Sequence, residues 1–279
     1  MPPTPTSQPK AMNRDAGRTI FGSGASEYHA VRSGYPAALF DHLRERIVVN
    51  PRVLEIGPGS GLATAGLLTL EPSDYVGVES DELFIDYLRS GFKQTKMRFV
   101  HAPFPSPDLE GQFDLAACAA AFHWLEPHSA LAALRRLLRP GGIWAMWWNS
   151  YLTPSADATF AAAAMQILRE EEVALPPSFG ADGHQSLDVD GQTRLLVEAG
   201  LTDVVHRVWT EIRPLDASSA SALFSSFSFI RSLPVQRRTR ILDRIVRRVD
   251  EDFNGLAPLP VVTACFTAVN PNLAEGEAL

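Results

Sequence analysis

The sequence predicts a doubly wound α/β fold: a mostly parallel sheet with helices on both faces and a helical cap in the C-terminal half. Over the first 150 residues, short and almost continuously apolar runs alternate with amphipathic helical stretches. Such strands are typical of a parallel sheet that is covered on both faces. A glycine-rich turn joins the first of these runs to a helix, and later helical stretches precede a final β-branched run.

The first half of the chain predicts the sheet core, element by element. A helix between Tyr35 and Val48 leads into a strand at Arg52–Ile56, and the helix Leu62–Leu70 follows the glycine turn. Further strands are predicted at 75–78, 97–101, 113–118 and 143–148, with helices at 81–90 and 129–138.

The second half predicts a different arrangement. Helices are expected at 155–172, 192–199, 217–232 and 235–252, with strands at 203–212 and 260–269. The last two helices lie between the last two strands, which makes them an insertion or cap near the carboxyl ends of the strands, where ligands of such sheets bind.

Composition narrows the function. The chain has 279 residues, 46% of them apolar, and a net charge of −7, which disfavours nucleic-acid binding through a broad positive field. Cys118 and Cys265 cannot make a disulfide framework. We therefore expect a cytoplasmic protein with a small-molecule substrate, no metal, no membrane span and no nucleic-acid partner, while a homo-oligomer stays open.

The glycine turn is the sharpest signal. Gly57, Gly59 and Gly61 stand where a strand becomes a helix, so that a ligand can approach the backbone and the unpaired N–H groups of the helix start. Glu79 ends the next apolar strand, where a carboxylate can accept hydrogen bonds from ribose hydroxyls. Together they predict a nucleoside-containing ligand.

A dinucleotide-binding turn is the main alternative. Its fingerprint, G-x-G-x-x-G, needs Gly or Ala where this chain has Leu62. Glu55 two residues before the first glycine, and a helix before the first strand, also disfavour it. A phosphate-binding loop is excluded because no Gly-Lys-Ser/Thr follows.

Four stretches match one family in order and spacing: VLEIGPGSG, VGVESD, FDLAACAAAFHWLE and LLRPGGIWAMWWN, within roughly residues 27 to 150. On these the chain resembles the class I S-adenosylmethionine-dependent methyltransferases that act on small molecules. The resemblance implies a seven-stranded Rossmann-like sheet whose last strand, at Pro260–Val269, runs antiparallel. The chain would then divide into a cofactor-binding core with an N-terminal lid helix at 21–150 and the rest of the sheet at 151–279, with cap insertions at about 151–190 and 215–255. Independently of the resemblance, the composition of residues 1–10, rich in Pro, Thr and Ser, leads us to expect a disordered tail at 1–20.

The resemblance implies a cofactor site for S-adenosylmethionine, whose product is S-adenosylhomocysteine. The implied cofactor-binding residues are Tyr28, Arg32, Glu55, Gly57, Gly59, Gly61, Glu79, Ser80, Ala102, Pro103, Phe104, Ala119 and His123. Tyr28 and Arg32 share one face of an N-terminal helix, which in the family closes over the cofactor.

His123 is the best-placed titratable residue and is the candidate catalytic base, with a contact to cofactor or pocket as the alternative. The candidate substrate residues are Trp124, Trp148, Asn149 and Phe227. Alternation along the strand predicts that only one of Trp147 and Trp148 faces the site, and Trp148 is favoured because it lies nearer the strand end. Phe224, Phe227, Phe229 and Ile230 belong either to the core of the cap or to a pocket wall.

The arginine-rich stretch at 237–248 invites a nucleic-acid interpretation, but apolar residues at helical spacing and interspersed acids favour an amphipathic surface helix. The sequence therefore predicts a methyltransferase for a small, partly aromatic or apolar metabolite, with transfer to O, N or C driven mainly by positioning. The alternatives are a protein that binds S-adenosylmethionine without transferring methyl groups, a nucleic-acid methyltransferase and a dehydrogenase.

Overall fold

The computed structural model describes residues 29, 31–94, 96–153, 159–176, 179–180 and 183–271. The predicted tail at 1–20 and the candidate residue Tyr28 lie outside this part of the chain. One seven-stranded sheet organises the described residues, in the order β3-β2-β1-β4-β5-β9-β8. Its strands are β1 (Arg52–Ile56), β2 (Asp74–Glu79), β3 (Met97–His101), β4 (Phe113–Ala119), β5 (Leu138–Ser150), β8 (Thr202–Leu215) and β9 (Ala257–Val269). A small hairpin pairs β6 (Phe179–Gly180) with β7 (Gly183–His184).

The helices flank this sheet and build the cap. The helices are α1 (Ala37–Arg46), α2 (Leu62–Leu68), α3 (Glu82–Gly91), α4 (Pro127–Leu137), α5 (Phe160–Glu170), α6 (Val189–Glu198), α7 (Ala217–Ser225), α8 (Ser228–Arg231) and α9 (Val235–Phe253). Short 3₁₀ turns lie at Phe122–Trp124 and Gln185–Leu187.

The strand directions confirm the predicted sheet. β3, β2, β1, β4 and β5 pair in parallel, whereas β9 pairs antiparallel with both β5 and β8. The last strand of the chain is therefore inserted, in the opposite direction, between β5 and β8. Because β1, β2, β4 and β5 are parallel, their carboxyl ends meet along one edge of the sheet, which is where a ligand site is expected.

The bounds of several predicted elements differ by a few residues, and in two of them the difference has a tertiary cause. β5 begins at Leu138 instead of residue 143, because Leu138 already pairs with Phe113 across an irregularity in the ladder between β4 and β5. The helix predicted over 217–232 is two helices, since Phe227 adopts an extended backbone (φ −70°, ψ 132°) between α7 and α8. Phe227 takes this conformation where it packs on the stacked ring of Phe229 and edge-on to Phe224.

The described apolar side chains form three clusters. Two lie on the faces of the sheet, one containing Trp144 and Phe266 and the other containing Leu39 and Trp147. The third is the cap cluster, which joins α5, α7, α8 and α9 to the first half of β9 and includes Phe160, Phe224 and Ile245. β9 thus contributes residues both to the cap and to the sheet.

The arginine-rich helix α9 packs as the apolar pattern predicts. Ile241, Ile245 and Val249 are fully buried against the cap. On the opposite side, Arg240 contacts Glu171 at 2.8 Å, and Arg244 contacts Glu171 at 3.0 Å and pairs with Glu170. These pairs fasten α9 to the C-terminal end of α5. Among the described residues, no helix combines the length and apolar character needed to cross a membrane.

Candidate active site

A cavity of about 250 Å³ opens at the carboxyl ends of β1, β2, β4 and β5. Its wall has two parts. The first part is formed by the glycine turn, the end of β2 and the turn after β3. The second part is formed by the ends of β4 and β5, the hairpin β6–β7 and the cap. Of the predicted site residues, the cavity is lined by Arg32, Gly57, Gly59, Glu79, Ser80, Ala102, Phe104, Ala119, His123, Trp124, Trp148, Asn149 and Phe227.

The three glycines of the turn have different tasks, although all have positive φ (66°, 55° and 81°). At Gly57, an added Cβ would lie 2.7 Å from the Cβ of Ala121, so the backbone there packs directly on the end of β4. At Gly59, an added Cβ meets nothing within 4 Å, because this residue faces the cavity. The turn therefore leaves open backbone next to the cavity, as a ligand-binding turn requires.

Gly61 does not line the cavity, contrary to the prediction. It is the residue before α2, and an added Cβ would lie 2.5 Å from the ring of Phe92 and 3.3 Å from Leu88. Its N–H donates to the carbonyl of Pro58 at 2.9 Å. Gly61 thus closes the turn and allows α2 to pack on the end of α3, which the spacing of the glycines alone does not distinguish from a ligand contact.

Glu79 fixes the glycine turn to the end of β2. Its Oε2 accepts from the N–H of Gly59 at 3.0 Å, and its Oε1 accepts from the N–H groups of Ser80 and Asp81 at 2.8 and 3.0 Å. The side chain is 7% exposed, and burial raises the pKa of its carboxyl group. A carboxylate offers about four acceptor positions, so Oε2 keeps one for a ligand that enters the cavity.

The first part of the cavity fits a nucleoside. The Oγ of Ser60 is buried at the cavity wall with no hydrogen-bond partner among the described residues. Ala102 and Phe104 bring apolar surface from the turn after β3, opposite the glycine turn. A hydroxyl, an acceptor position on a carboxylate and open backbone therefore meet an apolar wall, a combination that suits a sugar and a flat base.

Two further residues predicted to bind the cofactor, Pro103 and Glu55, lie outside the cavity wall, and for Glu55 this agrees with support of the glycine turn, one of its two predicted roles. Pro103 is exposed and lies outside the cavity wall, although its neighbours Ala102 and Phe104 belong to it. Glu55 is 1% exposed and points beneath the glycine turn, where its Oε2 accepts from Thr64 Oγ1 at 2.7 Å and from the hydroxyl of Tyr75. Alternation along β1 explains this placement, because Glu55 and Ile56 face opposite sides of the sheet and Ile56 lines the cavity.

His123 and Trp148 form a polar pair in the second part of the cavity. The indole Nε1–H of Trp148 donates to Nδ1 of His123 at 3.3 Å. Burial, reinforced by the neighbouring His184, lowers the pKa of His123 to about 3. Trp148 is 2% exposed, and the ring of His184 lies 6.2 Å from its ring on another side. Burial also lowers the pKa of His184 to about 4, so both imidazoles are neutral at physiological pH.

Aromatic rings dominate this second part. Trp124, Trp148, Tyr151, Phe227 and Phe229 all line the cavity. Phe224 and Ile230 are fully buried in the cap instead, which separates the pocket wall from the cap core. Trp147 is likewise fully buried and packs edge-on against Tyr35 and Phe40 under α1, so the two neighbouring tryptophans face opposite sides as alternation predicts.

Asn149 reaches the cavity, but its amide holds the N-terminal segment. Its Nδ2 donates to the carbonyls of Ser33 and Gly34, each at 3.1 Å, and its Oδ1 accepts from Thr263 Oγ1 at 2.6 Å. Both amide hydrogens are therefore used inside the protein. Asn149 lines the cavity with both amide hydrogens engaged by a distant part of the chain, and its contact with a substrate stays a prediction.

The N-terminal segment 29–36 crosses the cavity from the glycine turn to the cap. His29 Nδ1 lies 2.9 Å from the carbonyl of Ser60, and the guanidinium of Arg32 lies 4.5 Å from the ring centre of Phe227 while donating to the carbonyl of Ser226 at 3.3 Å. A cation over an aromatic face is attracted by the ring quadrupole. The segment thus lies across the mouth of the cavity and joins its two parts.

Several cavity residues were not among the predicted site residues, notably Ser60, Leu125, Tyr151, His184 and Phe229. Ser60 lies inside the glycine turn and Tyr151 directly follows β5, so their positions in the sequence are usable signals. His184 belongs to the hairpin between α5 and α6, and no local pattern shows that this hairpin folds back onto Trp148.

Comparison with known proteins agrees with this geometry. A family model described as a methyltransferase domain matches residues 54–146, which include the glycine turn, Glu79, β4 and the first part of β5. An uncharacterised methyltransferase of Mycobacterium tuberculosis is 29% identical over 259 residues, covering 89% of this chain and 94% of that protein. One of Schizosaccharomyces pombe is 25% identical over 238 residues, covering 84% and 89%. The chain belongs to the class I S-adenosylmethionine-dependent methyltransferases.

The fold of this methyltransferase agrees with a solved structure as well. The structure of a type II methyltransferase of Anaeromyxobacter dehalogenans aligns with a TM-score of 0.63 at 21% identity, covering 85% of this chain and 97% of that one. The resemblance seen in the sequence is therefore confirmed. The dehydrogenase alternative is wrong, since the matching family and relatives are methyltransferases.

Proposed function

We propose that this methyltransferase binds S-adenosylmethionine in the first part of the cavity and transfers its methyl group to a small, uncharged, partly aromatic metabolite in the second part. The observation that carries the proposal is the division of one continuous cavity. The bare backbone of the glycine turn, Ser60 and Glu79 lie on one side, and aromatic rings with two neutral imidazoles lie on the other.

The residues of the first part would hold the cofactor as follows. Gly57 and Gly59 leave the backbone open at the cavity, and Oε2 of Glu79 accepts a hydrogen bond from a ribose hydroxyl. Ala102 and Phe104 pack against the adenine, with no acidic residue at 102–104 to bind its amino group. When bound, the cofactor supplies an electrophilic methyl group on a sulfonium, which is already a good leaving group.

The chain's main contribution to the chemistry would be positioning. Holding the acceptor in line with the methyl group, about 3 Å away, can supply roughly 7 kcal/mol or more of the barrier reduction. Trp148, Phe227 and Tyr151 give flat surfaces on which an aromatic acceptor stacks.

A small-molecule substrate is favoured over a nucleic acid by the charges of the described residues. Arg240 and Arg244 of α9 are paired with Glu170 and Glu171, and Arg248 is paired with Asp252, so acids neutralise part of the arginine-rich helix. The chain as a whole carries a net charge of −7. Backbone-driven binding of RNA or DNA needs the opposite balance.

The test is a product scan. The purified protein is incubated with S-adenosylmethionine labelled in its methyl group and with a metabolite extract freed of nucleic acid and protein, and labelled products are separated by mass. We expect the label in a small apolar or aromatic product. Label in added RNA would contradict the substrate class, and cofactor binding with no labelled product would favour a role other than methyl transfer.

A further inference from the structure

The hydrogen bond between Trp148 and His123 fixes the protonation of the imidazole. An indole Nε1–H can only donate, so the Nδ1 of His123 that lies 3.3 Å away must carry a lone pair. A neutral imidazole with a lone pair on Nδ1 carries its hydrogen on Nε2. Burial disfavours the doubly protonated form, since charging the ring would cost solvation and would repel the Trp148 N–H.

The other ionisable groups near the pair reinforce this state. Nδ1 of His184 accepts from the N–H of Ser186 at 3.2 Å, which makes His184 the same neutral tautomer. No carboxylate lies in the aromatic part of the cavity wall among the described residues. No described carboxylate in this part of the cavity therefore favours protonation of His123 at Nδ1.

We infer that His123 is a fixed hydrogen-bond donor and not a base. The substrate that receives the methyl group therefore carries a neutral oxygen with a lone pair, in a carbonyl or an ether. His123 Nε2–H binds this oxygen, and a different atom of the substrate receives the methyl group. Nε2 of His123 has no hydrogen-bond partner among the described residues, and the residue lines the cavity. Trp148 is the positioning residue, because its indole sets which nitrogen carries the hydrogen. This inference rests on the proposed function and replaces the predicted role of His123 as a base.

The choice of atom follows from the chemistry of the transfer. A hydrogen bond donated to the attacking atom would withdraw its lone pair and slow the attack. An N–H donor at the cavity wall helps the transfer only if it binds a second polar atom of the substrate and thereby orients the substrate's ring. Substrates with an aromatic or apolar body and one carbonyl or ether oxygen satisfy both the rings and the imidazole.

The first experiment measures the tautomer directly. The full chain is labelled with ¹⁵N-histidine, and the His123 signals are assigned by their loss in His123→Gln. At pH 7 we expect His123 Nε2 to have the chemical shift of a protonated ring nitrogen and Nδ1 that of an unprotonated one. In Trp148→Phe, which keeps an aromatic ring but removes the donor, we expect this fixed pattern to be lost. A protonated Nδ1 in the wild type, or an unchanged pattern in Trp148→Phe, overturns the inference.

The second experiment tests whether His123 donates a hydrogen bond, using two probes of similar size. Acetophenone has a carbonyl oxygen, and ethylbenzene has none. Binding is measured with S-adenosylhomocysteine present. We expect the ketone to bind about threefold to tenfold more tightly, as one hydrogen bond provides. His123→Phe should abolish the preference, and His123→Gln, whose amide can donate from a similar position, should keep part of it.

Equal binding of the two probes by the wild type, including no binding of either, or an unchanged preference in a folded His123→Phe, contradicts the inference. Thermal unfolding verifies that both variants are folded. These outcomes differ from failure of the proposed function, because the tautomer is read without any methyl transfer. If the product scan finds no transfer, the His123 signals still report whether Trp148 fixes the imidazole.

Discussion

Two buried glutamates at the ends of neighbouring strands have different surroundings, and side-chain alternation along the strands is the cause. Glu79 is the last residue of β2 and accepts from three backbone N–H groups at the cavity. Glu55 is the fourth residue of β1 and lies beneath the glycine turn with Thr64 and Tyr75. Its second oxygen, Oε1, is buried with no partner among the described residues. Glu55 is therefore a stability determinant of the turn and not a ligand contact.

Glu55 should make the stability depend on pH. Burial raises its pKa to about 7, against about 4.5 for the ordinary residue, so between these values the folded protein keeps a proton that the unfolded chain loses. The free energy of unfolding then falls as the pH rises from about 4.5 to about 7. We expect Glu55→Gln to be nearly unchanged at pH 5 and more stable than the wild type at pH 8, as measured by urea unfolding.

The control for this prediction is Glu45→Gln on the exposed side of α1. At both pH 5 and pH 8, Glu45→Gln should change the free energy of unfolding by no more than a few tenths of a kcal/mol, as is usual for surface substitutions. Glu79 also has a raised pKa, and its charge contributes to the raised pKa of Glu55, so the difference reports Glu55 together with this coupling. A stability difference between Glu55→Gln and wild type that is the same at pH 5 and pH 8 would contradict the assignment.

Three residues that the sequence placed at the cavity line it because their position along the chain fixes their place in space. Gly57, Gly59 and Glu79 follow directly from strand ends, and parallel strands bring those ends together. Asn149 and His184 depend instead on partners more than thirty residues away, Ser33 and Trp148. No local pattern contains that information.

At the scale of elements, the glycine turn separates packing from binding. Gly57 lies against Ala121, whereas Gly59 faces open space at the cavity. Both have positive φ, which costs roughly 1–2 kcal/mol for a residue with a Cβ. Only Gly57 adds a steric clash to this cost.

We expect Gly57→Ala to affect mainly the stability of the protein and Gly59→Ala to affect mainly cofactor binding. Gly57→Ala should lower the free energy of unfolding by clearly more than Gly59→Ala, because its methyl group would lie 2.7 Å from a buried Cβ. Gly59→Ala should instead lower the affinity for S-adenosylhomocysteine, since its methyl group enters the cavity. Denaturant unfolding and calorimetry measure the two effects. Equal losses of stability with unchanged affinity in Gly59→Ala would show that the turn does not bind the cofactor.

Elements that local sequence determines could be predicted, whereas elements that depend on distant contacts could not. The strands of the core and the antiparallel last strand follow from apolar runs and from family resemblance, and the sheet order confirms them. The start of β5 at Leu138 depends on pairing with Phe113, and the break between α7 and α8 depends on how Phe227 packs on its neighbouring rings. Both are tertiary effects that override local preference.

At the scale of the whole molecule, the cap and the sheet share a strand. Ala257, Leu259 and Val261 of β9 belong to the cap cluster, while Cys265, Phe266 and Ala268 belong to the two clusters on the sheet. The cap therefore cannot lose its core without disturbing the strand on which β5 and β8 pair.

This continuity predicts one unfolding transition. Ile245 is fully buried in the cap, so Ile245→Ala should destabilise the protein by about 2–5 kcal/mol. Near-ultraviolet and far-ultraviolet circular dichroism should shift together in a urea titration. Val235→Ala on the same helix, where Val235 is 66% exposed, is the matched control and should have little effect. Two separated transitions in Ile245→Ala would show that the cap unfolds independently of the sheet.

In the proposed function, a carboxylate and a bare stretch of backbone together bind one adenosyl group. Calorimetric titration of S-adenosylhomocysteine into wild type, Glu79→Ala and the exposed-loop control Glu110→Ala tests this most directly. A hydrogen bond to a charged group contributes about 1.5–3 kcal/mol, so Glu79→Ala, verified as folded by circular dichroism, should raise the Kd tenfold or more while Glu110→Ala leaves it unchanged. An unchanged Kd in folded Glu79→Ala, or no binding by the wild type, would contradict the account.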